Sequence, residues 1–241
     1  SLGFKRLSII DIKNGKQPMV SNDKKVVISY NGEIFNYIEL RKELSTNGYK
    51  FKTQSDTEVI LAAYLKYGID FVKKLNGMFA IAIYDLRNQN FYMIRDRCGI
   101  KPLFYKFLPN NIVVFASEIK SILEFPAINK EPNFDGIYNY FGQKNIPSPE
   151  TAFKDIFQLK PGEIITKNKF NIKKKIFWDI KNNKQLKTRK DKNFYSKKLF
   201  QLLKESVKIQ LRSDVEVSCF LSGGIDSSAI SVIASKYLKR K

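Results

Sequence analysis

The sequence predicts an α+β protein, with sheet layers covered by helices, followed by a strand–turn–helix unit that opens a parallel α/β arrangement. Three observations carry this. Short apolar strands alternate with amphipathic helices through the first two-thirds of the chain. A lysine-dense stretch, Lys173 to Lys175 and then Lys181 to Lys192, reads as an interdomain linker. Beyond it, Val215, Val217, Phe220 and Leu221 form a short apolar run that enters a glycine turn, and Ala229 to Ala234 read as a buried helix.

Taken in order, Val26 to Tyr30 is a strand that meets Asn31-Gly32-Glu33. Asn-Gly is a strong hairpin signal, but Ile34, Tyr37, Ile38, Arg41 and Leu44 fall at helical spacing. Asn31-Gly32 is therefore placed at a strand-to-helix transition, where an amide side chain and a glycine N–H face a pocket. A second helix starts at Ser55-Asp56-Thr57-Glu58, with Ser55 and Glu58 spaced as a capping box. Its apolar face is Ile60, Ala63, Tyr64 and Tyr67, and Gly68 stops it. Met78 to Tyr84, Phe91 to Ile94 and Ile112 to Ala116 read as antiparallel strands, the first two joined by the polar turn Arg87 to Asn90.

The turn Leu221-Ser222-Gly223-Gly224-Ile225-Asp226-Ser227-Ser228 suits a phosphate. The glycines permit positive φ and leave no Cβ in a ligand's way, while the N–H groups and dipole of the new helix and the hydroxyls of Ser222, Ser227 and Ser228 favour an anion. Walker-type spacing and its lysine are missing. Asp226 among phosphates implies a bridging cation such as Mg2+. The plainer reading is an ordinary turn in which Asp226 or Ser227 caps the helix.

Composition narrows the chemistry. At 241 residues, 43% hydrophobic and 13% aromatic, the chain can bury a core or two. A net charge of +20 raises nucleic acid as a partner, but the lysines are dispersed, so neither nucleic acid nor membrane is expected. There is no histidine, which excludes Ser-His-Asp and Cys-His systems and imidazole zinc sites. Two cysteines make no disulfide framework, and the cytoplasm is the expected compartment. Cys98 and Cys219 read as small buried apolar residues.

The loop resembles the pyrophosphate loop of the ATP pyrophosphatases. Leu2-Gly3-Phe4-Lys5-Arg6-Leu7-Ser8-Ile9-Ile10-Asp11, Gly15 to Met19, Tyr30 to Tyr37, Ser55 to Ile60, Leu75 to Ala80, Arg95 to Leu103 and Phe115 to Lys120 resemble the successive blocks of glutamine-hydrolysing asparagine synthetase, in that family's order. The resemblance implies a class II glutamine amidotransferase domain of the four-layer αββα N-terminal-nucleophile (Ntn hydrolase) type over residues 1–180. A linker over 181–193 and the beginning of an ATP pyrophosphatase-type synthetase domain over 194–241 would follow.

It further implies that Arg6, with Leu7, Ser8, Ile9 and Ile10, clamps the glutamine α-carboxylate, for which a guanidinium is suited. Asp56 takes the α-ammonium, Asn31 and Gly32 form the oxyanion hole, and Glu33 helps hold the substrate. The implied reaction converts aspartate and glutamine, with ATP and Mg2+, to asparagine and glutamate through β-aspartyl-AMP, in a ligase whose partners are small molecules and which forms a homodimer. Related amidotransferases act instead on sugar acids or other acceptors, and a non-catalytic binding protein is the third reading. The family's N-terminal cysteine nucleophile has no counterpart in this chain, and Ser1 corresponds to an interior position. These residues are thus expected to be a piece of the parent enzyme that runs neither half-reaction alone.

Overall fold

A computed structural model describes residues 2–5, 9–180 and 191–238. The linker expected over 181–193 falls mostly outside them. At its end, Asp191 accepts a hydrogen bond from Phe194 N at 2.7 Å and so caps a helix that starts at Lys192.

In chain order the elements are β1 (Met19–Val20), β2 (Val26–Ile34), α1 (Tyr37–Thr46) and α2 (Asp56–Tyr67). A 3-10 turn over Gly68–Lys74 leads to β3 (Gly77–Asp85), β4 (Asn90–Arg95), β5 (Phe104–Phe107), β6 (Val113–Ala116), α3 (Ile119–Leu123) and α4 (Phe134–Gln143). Then come β7 (Phe157–Gln158), β8 (Glu163–Lys167), β9 (Ile172–Ile176), α5 (Lys192–Gln210) and α6 (Ile225–Ser235).

The strands make two sheets, one ordered β1-β2-β3-β4-β8-β9 and the other β6-β5-β7. Every ladder is antiparallel. Period-two alternation explains the layering. Val26, Ile28, Tyr30 and Ile34 of β2 and Phe79, Ile81 and Ile83 of β3 face the helices and bury against Leu40, Leu44, Val59, Ile60 and Ala63. Burying each large aliphatic side chain stabilises the fold by about 1.5–3 kcal/mol. The opposite face presents Ala80, Met93 and Ile165 to Leu103, Tyr105 and Leu159 of the second sheet and its flanks. The far side of that sheet packs Phe104, Val114 and Ala116 on Ile119, Ile122 and Leu123 around α3. The result is the expected αββα order, with a thin fourth layer.

Several expectations are corrected. Asn31-Gly32-Glu33 does not end a strand, because β2 continues to Ile34 and pairs with β3 throughout. Ile34 is therefore a strand residue with a buried side chain, and the helix begins only at Tyr37. The capping box does not close. Ser55 accepts from Thr57 N at 3.1 Å, while Glu58 reaches past it to the N–H groups of Lys52 and Thr53 and to the Thr53 hydroxyl. Asp56 to Tyr64 of α2 are buried on all sides, not on one stripe, because β2, α1 and the 3-10 turn enclose them. Gly68 does end α2, with φ 58°.

The largest correction lies near the end of the chain. Val215 to Leu221 form no strand, and no strand after β9 occurs among the described residues. Phe220 is 100% exposed, and Ile225 and Val232 are also exposed. A strand needs a ladder partner, and none pairs with this segment, so the expected parallel ladder does not occur among the described residues. Only Ile233 and Ala234 of α6 are buried, against Val207 of α5. Both cysteines are exposed, not buried. Cys98 sits in a loop held open by Asp96, and Cys219 in the segment that lacks a sheet to cover it.

Candidate active site

A cavity of about 1150 Å³ lies between the two sheets, floored by the inter-sheet face of β2 and β3. Ser29, Asn31 and Glu33 point into it by the same alternation that sends Ile28, Tyr30 and Ile34 to the helices. Met78, Ala80 and Ala82 from β3 are beside them, and Val113, Val114, Phe115, Ala116 and Ser117 close the far wall. Ile9, Ile10, Gly32 and Asp56 also line it. Arg6, Leu7 and Ser8 lie outside the described residues.

The open edge of β2 is the most organised part of this wall. β1 covers β2 only at Val27 and Ile28. Further along, the Gln17 side chain replaces a strand: its Oε1 accepts from Tyr30 N at 2.6 Å and its Nε2 donates to Tyr30 O at 2.9 Å. Ile34 N donates to Asp56 Oδ2 at 3.2 Å on the same edge. On the other side of Gly32, the N–H and C=O of its pair Phe79 are both turned to Asp96. The alternation of an antiparallel ladder then aims the Gly32 N–H at the open edge, between those of Tyr30 and Ile34. Asn31 Nδ2 donates to Ser117 Oγ at 3.3 Å, which fixes the amide in the cavity.

Gly32 is required here. Its φ is 148°, and a Cβ would overlap Met78 O and come within 2.8 Å of Phe79 Cα. Asp56, at the N-terminus of α2, is buried, and its Oδ2 accepts from Tyr30 OH at 2.7 Å as well as from Ile34 N. Its placement rests on Ser55 as helix cap and on the buried first turn.

Glu33 is held above the usual carboxylate range, first by burial and then by the Asp56 charge, with Lys101 working against both. A carboxyl raised on folding adds stability below its ordinary range, and that stability is lost as pH rises through the folded value. Glu33→Gln is accordingly expected to be more heat-stable than the parent at pH 7 and to converge with it below the ordinary carboxylate range. Equal melting temperatures at both ends would remove Glu33 from the buried charges of the site.

Residues 1–178 match the glutamine amidotransferase domain family. The chain belongs to that family. In this glutamine amidotransferase chain, residues 198–241 match a second family, asparagine synthase. Similar curated proteins include two from Bacillus subtilis (strain 168). Asparagine synthetase [glutamine-hydrolyzing] 3 is 38% identical over 99% of this chain and 39% of its own length. Asparagine synthetase [glutamine-hydrolyzing] 1 is 41% identical over 98% of this chain and 37% of its own length. The amidotransferase chain thus spans about two-fifths of these relatives. Among solved structures it is similar to the glutamine phosphoribosylpyrophosphate amidotransferase from B. subtilis, 21% identical, with a TM-score of 0.47, over 67% of this chain and 32% of that one.

The amidotransferase cavity gathers Ile9, Ile10, Asn31, Gly32, Glu33 and Asp56, all expected from sequence. Gln17, Lys101 and Ser117 also line the cavity and were not singled out from the sequence. Each sits in one of the family-like blocks, which is the signal that marks them. No periodicity pairs Gln17 with Tyr30 or Asn31 with Ser117.

The second expected site is built from one short segment. Gly223 has φ 80° and turns the chain, and Gly224 is the residue before α6. No side chain caps α6, so the capping roles weighed for Asp226 and Ser227 are not taken up. Ser227 Oγ instead donates to Gly224 O at 3.0 Å and shares a hydrogen bond with Ser222 Oγ at 3.0 Å. Leu221, Ser222, Asp226 and Ser228 stand around this exposed helix start.

Proposed function

We propose that this chain is the glutamine-binding part, and the beginning of the nucleotide-binding part, of a glutamine-hydrolysing asparagine synthetase. The observation that carries the reading is the convergence of Asp56, Glu33, Asn31 and Gly32 on one cavity. Asp56 would hold the α-ammonium of L-glutamine and Arg6, with Leu7 and Ser8, its α-carboxylate. The side-chain amide would extend along β2 toward Asn31 Nδ2 and the Gly32 N–H. Those two donors suit a carbonyl oxygen that becomes an oxyanion, and losing one such donor costs about 2.7–4 kcal/mol of transition-state stabilisation. Neither cysteine lines the cavity. In this reading the described residues supply binding and charge stabilisation, and the attacking thiolate would be the N-terminal cysteine that the family resemblance implies.

In the second part, the uncapped start of α6, Gly223, Gly224 and the three serines would grip the phosphates of ATP, the proposed substrate that activates aspartate. The residues fit Mg2+, since a phosphate-bound Mg2+ needs only one or two protein carboxylates and Asp226 stands in the first turn of α6. The ion would neutralise the phosphates as pyrophosphate leaves. We place the protein in the cytoplasm, in keeping with two free cysteines, as a ligase acting on small molecules and assembling as a homodimer. No helix among the described residues is long and apolar enough to cross a membrane.

The test is calorimetric titration of the full chain with L-glutamine. Binding is expected, with L-aspartate much weaker, and Asp56→Asn is expected to weaken it by at least about tenfold, since a charge-assisted hydrogen bond contributes about 1.5–3 kcal/mol. Failure to bind L-glutamine, or an unchanged Asp56→Asn, would sink the reading.

A further inference from the structure

The segment between α5 and the Ser-Gly-Gly turn is fastened to the walls of the cavity. Arg212 Nη1 donates to Phe35 O at 2.5 Å and to Glu39 Oε2 at 2.6 Å, and Nη2 donates to Glu39 Oε1 at 2.5 Å. This is a forked guanidinium–carboxylate pair with a backbone carbonyl added. Two residues on, Asp214 N donates to Ile9 O at 3.0 Å and Asp214 Oδ2 accepts from Asp11 N at 2.8 Å.

The grip falls on two particular segments. Phe35 follows Glu33 by two residues, and Ile9 and Ile10 line the cavity. Arg212 and Asp214 thus hold both pieces of chain that frame the candidate glutamine site, from a point that precedes Ser222 by ten and eight residues. Ordinary surface ion pairs contribute little. Here the same two residues also satisfy three backbone groups and bridge more than 170 positions of sequence.

We propose that Arg212 and Asp214 are positioning residues that register the phosphate-loop segment against the cavity, so that occupancy of one is felt at the other. The coupling part of this rests on the glutamine reading above, and the registration part does not. Two sites linked through a shared rigid contact change each other's affinity by the same factor.

The chain offers its own probes, since it has two cysteines, both exposed. Cys98 lies in the loop after β4 and Cys219 lies beside the phosphate loop. With nitroxides on both, double electron–electron resonance of the full chain is expected to give one narrow distance distribution. Arg212→Met with Asp214→Ala should broaden it at least about twofold. Exchange of the pair, Arg212→Glu with Glu39→Arg, should restore much of the narrow form. Glu39→Gln, at an exposed helix position, gives the same readout should the double variant fail to fold. Widths equal to the parent's in both Glu39→Gln and the double variant overturn the proposal.

Calorimetry with L-glutamine supplies the second arm. The double variant should bind about 3- to 30-fold more weakly, the range of coupling through such contacts. Unchanged affinity alongside a broadened distribution overturns the coupling. A parent chain that does not bind L-glutamine removes the glutamine reading, while the distance widths still decide registration.

Discussion

Gly32→Ala is expected to cost about 3 kcal/mol or more of folding stability and to abolish binding of L-glutamine. The added Cβ meets only backbone, Met78 O and Phe79 Cα, so no side chain can swing aside. The φ of 148° adds strain that a side chain does not relieve. Gly77, diagonally across the same ladder, has the matching difficulty, because a Cβ there would overlap Glu33 O and approach Ile34 Cα to 2.9 Å. Gly142 provides the contrast: it lies in α4, nothing stands within 4 Å of its added Cβ, and Gly142→Ala should change stability by no more than about 1 kcal/mol, in the favourable direction. Urea unfolding of the three variants measures this. A Gly32→Ala midpoint equal to that of Gly142→Ala would refute the close-packed ladder.

Asp96→Ala is expected to lose about 3–5 kcal/mol. The carboxylate is 1% exposed and accepts four backbone N–H groups, those of Phe79, Cys98, Ile100 and Lys101, at 2.9 to 3.2 Å. Its neighbour Arg95 holds the carbonyls of Gly99, Lys101 and Leu159 at 2.6 to 2.8 Å. Together they bracket the loop that delivers Lys101 to the cavity. Removing Asp96 strands the buried N–H of Phe79 and releases the three that hold the loop, so loss of L-glutamine affinity should accompany loss of stability. Asp70→Ala is the comparison, since Asp70 forms an exposed pair with Lys73 at 2.7 Å and should matter by less than about 1 kcal/mol. If the two variants unfold at the same urea concentration, the bracket contributes nothing.

The sequence made the strands and helices of the first two-thirds legible because their burial follows simple periods. β3, β4 and β6 fall within a residue or so of expectation, and α2 starts and stops at Ser55 and Gly68. The error at Asn31-Gly32 has a physical source. Ile34 falls at helical spacing with Tyr37, Ile38, Arg41 and Leu44, but pairing along the whole length of β3 draws it and the Asn31-Gly32-Glu33 before it into the ladder, and the helix starts only at Tyr37. Val215 to Leu221 failed for the opposite reason, since apolar β-branched residues do not make a strand without neighbours to pair with. In the cavity, Asp56 and Asn31 were readable through family-like blocks, whereas the Gln17 and Ser117 contacts depend on distant segments meeting. The grip of Arg212 and Asp214 was equally invisible, because it joins residues far apart in sequence.

A strand left unpaired along one side is a template for another chain, and proteins ordinarily blunt such edges with charge, proline or a covering loop. Here the side-chain amide of Gln17 seals Tyr30 and the carboxylate of Asp56 seals Ile34, which leaves a gap one residue wide at Gly32. A second polypeptide needs several consecutive openings to add itself to a sheet, and a small amide needs only one. The edge is thus closed to aggregation and open to a ligand, whose carbonyl oxygen would take the place of the missing strand.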